Sequence, residues 1–417
     1  MMTRALVQLG HAATATDFVR WYAGYQFSSG KVPCCVDTRG PDAEPENDSP
    51  GELIHAIAEL YRFTGDLALL RELWPHVSAG IGYLDALSAS EREPVNRAAD
   101  RTALYGLLPA SISHEGYFAK PMHSYWDDFW ALRGYKDAVE LAQALGDSQS
   151  ARALAQSRDR FHGDLERSIR LSLARHRIEY IPGAAELGDF DATSTTIALD
   201  PVWDSPDLPQ GALSATFDRY WDEFVARRDG RRNWEDYTPY ELRVVGAFVR
   251  LGQPMRAIEL LDFFMADRRP LAWNQWAEVV GRDPRKPRFI GDMPHAWVAS
   301  DYVRSALDLF AYEDDPNQAL VLAAGVPSSW FEAEGVQVEG LRTRHGVLSY
   351  TLRRRAGRIE LNIDRSIRVP PGGLVLPMPD SKASGPALVN GEPVAWDGSV
   401  LRVRSLRSTD RRSRLNP

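Results

Sequence analysis

Five segments bring carboxylates and aromatic rings together at spacings that suit the recognition of a polar ligand. They are Glu46-Asn47-Asp48-Ser49-Pro50-Gly51-Glu52, Ser124-Tyr125-Trp126-Asp127-Asp128-Phe129-Trp130, Gly188-Asp189-Phe190-Asp191-Ala192-Thr193-Ser194, Asn233-Trp234-Glu235-Asp236-Tyr237-Thr238-Pro239-Tyr240-Glu241 and Gly291-Asp292-Met293-Pro294-His295-Ala296-Trp297. The last is preceded by Ala272-Trp273-Asn274-Gln275-Trp276-Ala277-Glu278. Aromatic faces stack on the C–H faces of sugars, and carboxylates bind their hydroxyls. Asp128 and Asp191 each adjoin aromatic side chains, whose desolvation raises a carboxyl pKa toward neutrality, as a proton donor requires.

Some of these residues fit a structural role as well. Ser49-Pro50-Gly51-Glu52 and Thr238-Pro239-Tyr240-Glu241 both match a capping box with proline at the first helical position, so Glu52 and Glu241 serve either as caps or as ligand groups. Asp127 fits the third position of a helix starting after Ser124. Asp48, Asp128, Asp191, Glu235 and Glu278 have no equally simple capping role. His295, just after Pro294, fits a hydrogen-bonded structural histidine as well as a ligand contact.

The elements that must position these clusters are helices. Leu53, Ile54, Ile57, Leu60 and Tyr61 recur at i, i+1, i+4, i+7 and i+8 and form one apolar stripe. Similar periodicity predicts helices over 15–27, 50–64, 67–89, 122–145, 148–175, 192–199, 210–228, 238–252, 254–267 and 293–312. Short links such as Thr64-Gly65-Asp66 and Gly252-Gln253-Pro254 alternate with long ones rich in Gly, Pro, Asp and Trp, which pairs the helices as antiparallel hairpins. The clusters fall at the start of every second helix. Alternate helices in a ring of hairpins are parallel, so those starts converge on one face, where free N–H groups favour polar and anionic atoms.

After Asp314 the pattern changes to short β-type runs, including Val347-Leu348-Ser349-Tyr350-Thr351-Leu352, Ile359-Glu360-Leu361-Asn362-Ile363 and Val400-Leu401-Arg402-Val403. The expected organisation is a mainly α chain: an (α/α)6 toroid over 1–315, a small all-β sandwich over 316–405 and a disordered basic tail over 406–417.

Bulk composition excludes several function classes. The 49 basic and 57 acidic residues give a net charge of -8, which offers no overall attraction to nucleic acid or an anionic membrane. The only cysteines are the neighbours Cys34 and Cys35, too few for a disulfide framework or a structural zinc site. No metal or other cofactor is expected. No long apolar run or secretory signal is visible, so the chain as written reads as cytoplasmic. The 12 Trp, 15 Tyr and 15 Phe, many beside carboxylates in loop-like segments, suit a carbohydrate partner.

With those segments in view, the chain resembles the six-hairpin glycosidases of the α-L-rhamnosidase type up to about residue 405. The resemblance rests on Asp48 followed by Glu59-Leu60-Tyr61-Arg62-Phe63-Thr64-Gly65-Asp66, on Trp273 to Trp276, on the segment from Gly291 to Trp297 and on Gly325-Val326-Pro327-Ser328-Ser329-Trp330. It implies an inverting glycoside hydrolase, in which one protonated carboxyl serves the leaving oxygen and a second activates water, roughly 6.5–9.5 Å away. The family's general base is a glutamate between the two tryptophans. Asn274 and Gln275 stand there instead, and Glu278 is the substitute base.

The family's general acid lies upstream of the first helix predicted here, and nothing before Asp17 matches it, which leaves Asp128 and Asp191 as candidates. Trp126, Trp130, Trp234, Trp273 and Trp276 are the expected stacking platforms, and Asp48, Glu52, Glu235, Tyr240, Glu241 and His295 the groups that hold hydroxyls. Ten helices against the twelve of a full ring point to an N-terminal truncation or an alternative start, and a truncated chain is expected to be periplasmic or secreted. Two other readings stay open: a non-catalytic carbohydrate-binding protein, and a polysaccharide lyase or phosphorylase on the same toroid.

Overall fold

A computed structural model describes residues 1–113, 116–283, 293–379 and 385–406. The predicted tail from Arg407 and the pair Gly291-Asp292 lie outside the described residues. The chain divides into two compact units: Met1–Leu251 with Arg256–Ser305, and Gly252–Met255 with Ala306–Pro417.

The first unit is built from helices α1 (Met2–Gln8), α2 (Ala12–Ala23), α3 (Ser49–Thr64), α4 (Leu67–Ser90), α5 (Tyr125–Ala144), α6 (Ser148–His176), α7 (Ala192–Leu199), α8 (Gln210–Arg228), α9 (Leu242–Arg250), α10 (Pro254–Ala266) and α11 (Ala296–Asp308). Ten were expected; the addition is α1, whose Arg4, Ala5 and Val7 are buried. Helix α1 packs on α3, α3 on α5, α5 on α7 and α7 on α9. Arg243 of α9 reaches Asp301 of α11 at 2.9 Å, and Arg4 and Arg304 both hold Asp200, which links α11 and α1 through the end of α7. The odd-numbered helices form the inner wall of a helical toroid and the even-numbered ones its outer layer.

Sequence dictates the tightest of these contacts. A Cβ on Gly51 would stand 2.1 Å from the Trp130 carbonyl oxygen, and one on Gly134 3.0 Å from the Gly51 Cα. Two missing side chains therefore let α3 and α5 approach closely enough for their N-terminal groups to touch. Gly65, in the left-handed region at φ 67°, ends α3, and Asp66 caps α4 by accepting from Ala68 and Leu69 N–H.

The C-terminal ends of the inner helices are closed by buried ion pairs. Asp200 accepts Arg4 at 2.7 Å, Arg304 at 3.1 Å and Arg250 at 3.3 Å. Asp137 is held by Arg62, Arg133 and the His55 Nδ1, the last at 2.8 Å. Paired in this way the charges are retained, and they leave the opposite, N-terminal ends as the place for a site.

Two short pairs decorate this unit. Strands β1 (Val36–Asp37) and β2 (Gly40–Pro41) form a hairpin, and β3 (Asp236–Tyr237) pairs antiparallel with β4 (Val280–Gly281). The second unit holds β5 (Ala311–Asp314), β6 (Ala319–Leu322), β7 (Val336–Thr343), β8 (Gly346–Arg355), β9 (Arg358–Ile363), β10 (Leu374–Pro377), β11 (Ala387–Val389), β12 (Glu392–Val394) and β13 (Val400–Val403). Its sheets run β13-β10-β6-β5 and β12-β11-β9-β8-β7. Leu320, Leu322 and Leu376 of one sheet and Leu348, Leu352 and Leu361 of the other share one buried apolar core, the mark of a sandwich. The helix expected over 293–312 ends at Asp308, and strand pairing takes over from Ala311.

Candidate active site

The N-terminal ends of α3, α5, α9 and α11 bring one group of the anticipated residues together. Trp126 Nε1 donates to Asp48 Oδ2 at 2.7 Å, across the contact that Gly51 and Gly134 permit. The Arg243 guanidinium, fixed by Asp301, lies 5.0 Å from the Trp126 ring and 4.7 Å from the Tyr240 ring. Tyr240 meets His295 Nε2 at 3.3 Å, and the Trp297 ring lies 6.2 Å from Tyr240 and 6.1 Å from Trp126. Strand pairing of β3 with β4 places Glu278 beside this group: its carbonyl accepts the Thr238 hydroxyl at 2.8 Å.

Burial sorts these residues into two shells. Asp48, Trp126, Asp127, Arg243 and Asp301 are buried, whereas Glu52, Tyr240, Glu278, His295 and Trp297 are half-buried and reach the surface. Within this group, Glu52 Oε1 and Trp297 Nε1 are buried atoms without a hydrogen-bond partner among the described residues, as are Asp128 Oδ2 and Trp130 Nε1 of the other anticipated residues. A native protein rarely leaves such an acceptor and such a donor orphaned unless something else is meant to meet them.

Electrostatics singles out Glu52. Burial, reinforced by the Asp48 charge, holds its carboxyl well above the usual carboxylate range. Burial and Asp48 raise Asp127 in the same way, against hydroxyl donation from Ser111 at 2.5 Å and Ser113 at 2.8 Å. Tyr240 is raised too, by burial, with Arg243 opposing and the Glu278 charge reinforcing. Glu52, pushed toward its protonated form beside the Asp48 charge, and the Glu278 charge near Tyr240 are groups that can donate and accept protons.

Several expectations are corrected. Asp128, expected as proton donor, is wholly buried. It accepts from Leu108 N–H at 2.9 Å, and its neighbours are His123, Glu186 and Glu91; burial pushes it up to about 7, but a ligand from solvent does not reach it. Asp191, credited with no capping role, caps α7 through Ser194 N–H at 3.0 Å and Thr193 Oγ1 at 2.6 Å. Conversely, Glu52 does not complete the expected capping box: α3 starts at Ser49 with Asp48 at the N-cap, which puts Glu52 one position past the box, and its Oε1 has no partner among the described residues. Glu241, expected to hold a sugar hydroxyl, is tied by both oxygens to Arg227 and by one to Tyr220.

The aromatic platforms divide as well. Trp126 and Trp130 are buried, the latter 5.8 Å from the His55 ring, so neither presents a face to a sugar. Trp276 is also buried, donates to the Phe264 carbonyl at 3.0 Å and packs on Tyr302. Trp273 is exposed at 62 %, in a short 3-10 turn followed by Asn274 at φ 54°. Trp234 and Glu235 line a separate cavity with Asp191 and Glu241. Sequence reasoning passed over Arg243 and Trp297. Trp297 closes a quoted motif and Arg243 follows Glu241 by two, but their inward direction depends on the register of α9 and α11.

No family model matches the chain, and no curated protein does. Solved structures do. The fold is similar to that of two solved α-L-rhamnosidases. The family GH78 rhamnosidase of Bacillus sp. GL1 aligns with 90% of this chain at a TM-score of 0.57 and 13% identity, and the α-L-rhamnosidase from Dictyoglumus thermophilum with 97% at 0.60 and 10%. The match covers 38% and 44% of those two chains, so this chain spans less than half of each. At these identities the likeness is one of fold, a helical toroid followed by a β domain.

Proposed function

We propose that the chain is a glycoside hydrolase of the α-L-rhamnosidase kind, acting with inversion on a plant or bacterial oligo- or polysaccharide. Glu52 is the proton donor and Glu278 the base that activates water, in place of the acid candidates Asp128 and Asp191. The observation that carries this reading is Glu52: a half-buried carboxyl raised by burial and Asp48, with an orphaned buried oxygen at the mouth of a toroid whose fold neighbours are rhamnosidases. In an inverting mechanism the donor must be protonated while its partner is ionised, and burial with the Asp48 charge pushes Glu52 toward the protonated form. Tyr240, His295 and Trp297 supply the hydroxyl contacts and the ring face.

A lyase would use Tyr240 or His295 as base and would need its uronate neutralised. The Arg243 guanidinium beside Tyr240 is committed to Asp301, and the charges of Asp48 and Glu278 repel a uronate. A purely binding role rests on Asn274 and Gln275, where the resemblance calls for glutamate.

The test is reducing-sugar release from a panel of α-L-rhamnosides and plant and bacterial polysaccharides, with the wild type and Glu278→Gln. Release by the wild type, at least about 10²-fold slower in the variant with retained affinity, supports hydrolysis. Binding without release by either protein identifies the non-catalytic reading.

A further inference from the structure

A cavity of about 400 Å³ lies in the toroid unit between the start of α7, one face of α8 and the loop that carries Trp234 and Glu235, and neither Glu52 nor Glu278 is among the residues that line it. Its volume falls within the range of small-molecule pockets, about 300–1,000 Å³. Adjacent residues of one turn face the two places: Tyr240 joins His295 and Trp297, while Glu241 joins Tyr220 and Arg227 in the lateral wall. The cavity presents the aromatic rings Phe190 and Trp234, both half-buried, together with hydroxyl, amide and carboxylate groups.

Charge decides what it can take. Asp191, Glu223, Glu235, Asp236 and Glu241 face Arg227 and Arg232, five carboxylates to two guanidiniums, a formal balance of -3. Each guanidinium is already held in the wall: Arg227 by Glu241 at 2.6 Å and Arg232 by Glu223 at 2.6 Å. An anionic ligand therefore meets net repulsion, whereas hydroxyls find acceptors and an ammonium finds attraction.

We propose that this lateral cavity is a second carbohydrate subsite, specific for a neutral or amino-bearing sugar unit and closed to uronates, stacked on Trp234 with its polar groups toward Glu235. This inference rests on the carbohydrate reading of the protein and adds a place and a ligand class to it. Ordered from the chemistry, the toroid then holds a glycan at two points, the bond to be cleaved at Glu52 and a flanking unit at Trp234.

Titration calorimetry on the full chain tests it with three probes, cellotriose, the glucosamine trimer and trigalacturonate, using the wild type, Trp234→Ala, Glu235→Gln and Glu52→Gln. The expected result is binding of the first two probes and not the third, weakened about tenfold by Trp234→Ala, the size of one lost stacking contact. Glu235→Gln, on an exposed side chain, weakens the glucosamine trimer more than cellotriose. Glu52→Gln, which alters the other contact point, leaves the size of the Trp234→Ala and Glu235→Gln effects unchanged. If the probes bind but Trp234→Ala and Glu235→Gln match the wild type, the lateral subsite is overturned and the carbohydrate reading stands. Preferred binding of trigalacturonate that depends on Trp234 overturns the assigned ligand class. Failure of all three probes, while the panel of rhamnosides and polysaccharides is still hydrolysed, overturns the subsite alone; failure of both overturns the two readings together.

Discussion

Replacing Asp128 with asparagine separates a buried structural carboxyl from a catalytic one. Burial raises its pKa from 3.8 to about 7, against the Leu108 N–H bond. The folded chain thus keeps a proton that the unfolded chain releases, so wild-type stability falls as pH rises from about 4 through 7 and levels off above. The full difference corresponds to roughly 4 kcal/mol, and the part between pH 5 and 8 to about 2–3 kcal/mol. Asparagine mimics the protonated acid, keeps an acceptor for Leu108 and has nothing to titrate. Neighbouring His123, where bonds to Glu186 and Glu91 outweigh burial and push the pKa up to about 9, stays charged across this window in both proteins. Thermal unfolding at pH 5 and pH 8 is the assay: the variant should gain on the wild type by roughly 3–5 °C between the two. An unchanged difference at the two pH values refutes the burial argument, and a folded variant that loses hydrolysis restores Asp128 as a catalytic group.

Two further outcomes follow from the same contacts. Glu52→Gln should slow hydrolysis of unactivated glycosides at least about 10²-fold while sparing dinitrophenyl glycosides, whose leaving group needs no proton; equal loss on both removes Glu52 as donor. Gly51→Ala should destabilise the toroid by about 1–3 kcal/mol or more because its methyl meets the Trp130 carbonyl, whereas Gly82→Ala on α4, with open space around it, should stabilise by up to about 1 kcal/mol; denaturant melts of the two variants compare them directly.

The helical framework was legible because the apolar stripes, the Thr64-Gly65-Asp66 link and the Gly252-Gln253-Pro254 link are local signals, and the described helices lie where those signals put them. Helix α1 was not, since seven residues give too little periodicity to stand out. The end of α11 was overrun because Leu309 and Phe310 continue its apolar run into a strand. Among the site residues, local rules misread Asp191 and Glu52 in opposite directions. Ser49-Pro50-Gly51-Glu52 has the spelling of a capping box, but the α3–α5 contact at Gly51 sets it in a buried site where Glu52 faces Asp48 rather than the helix end. Nothing in Asp191-Ala192-Thr193-Ser194 announces a capping box, yet Asp191 caps α7 by itself. Aromatic residues were read as platforms from their polar neighbours in sequence, whereas helix packing decided that Trp126, Trp130 and Trp276 are buried and that Trp234 and Trp297 are half-exposed.

The central claim, that a protonated Glu52 and an ionised Glu278 work across one glycosidic bond, is tested most directly by proton NMR of the first sugar released from an anomerically pure glycoside. Initial appearance of the opposite anomer, abolished in Glu278→Gln, is the predicted result. Release with retained configuration, or release that Glu278→Gln leaves unchanged, contradicts it.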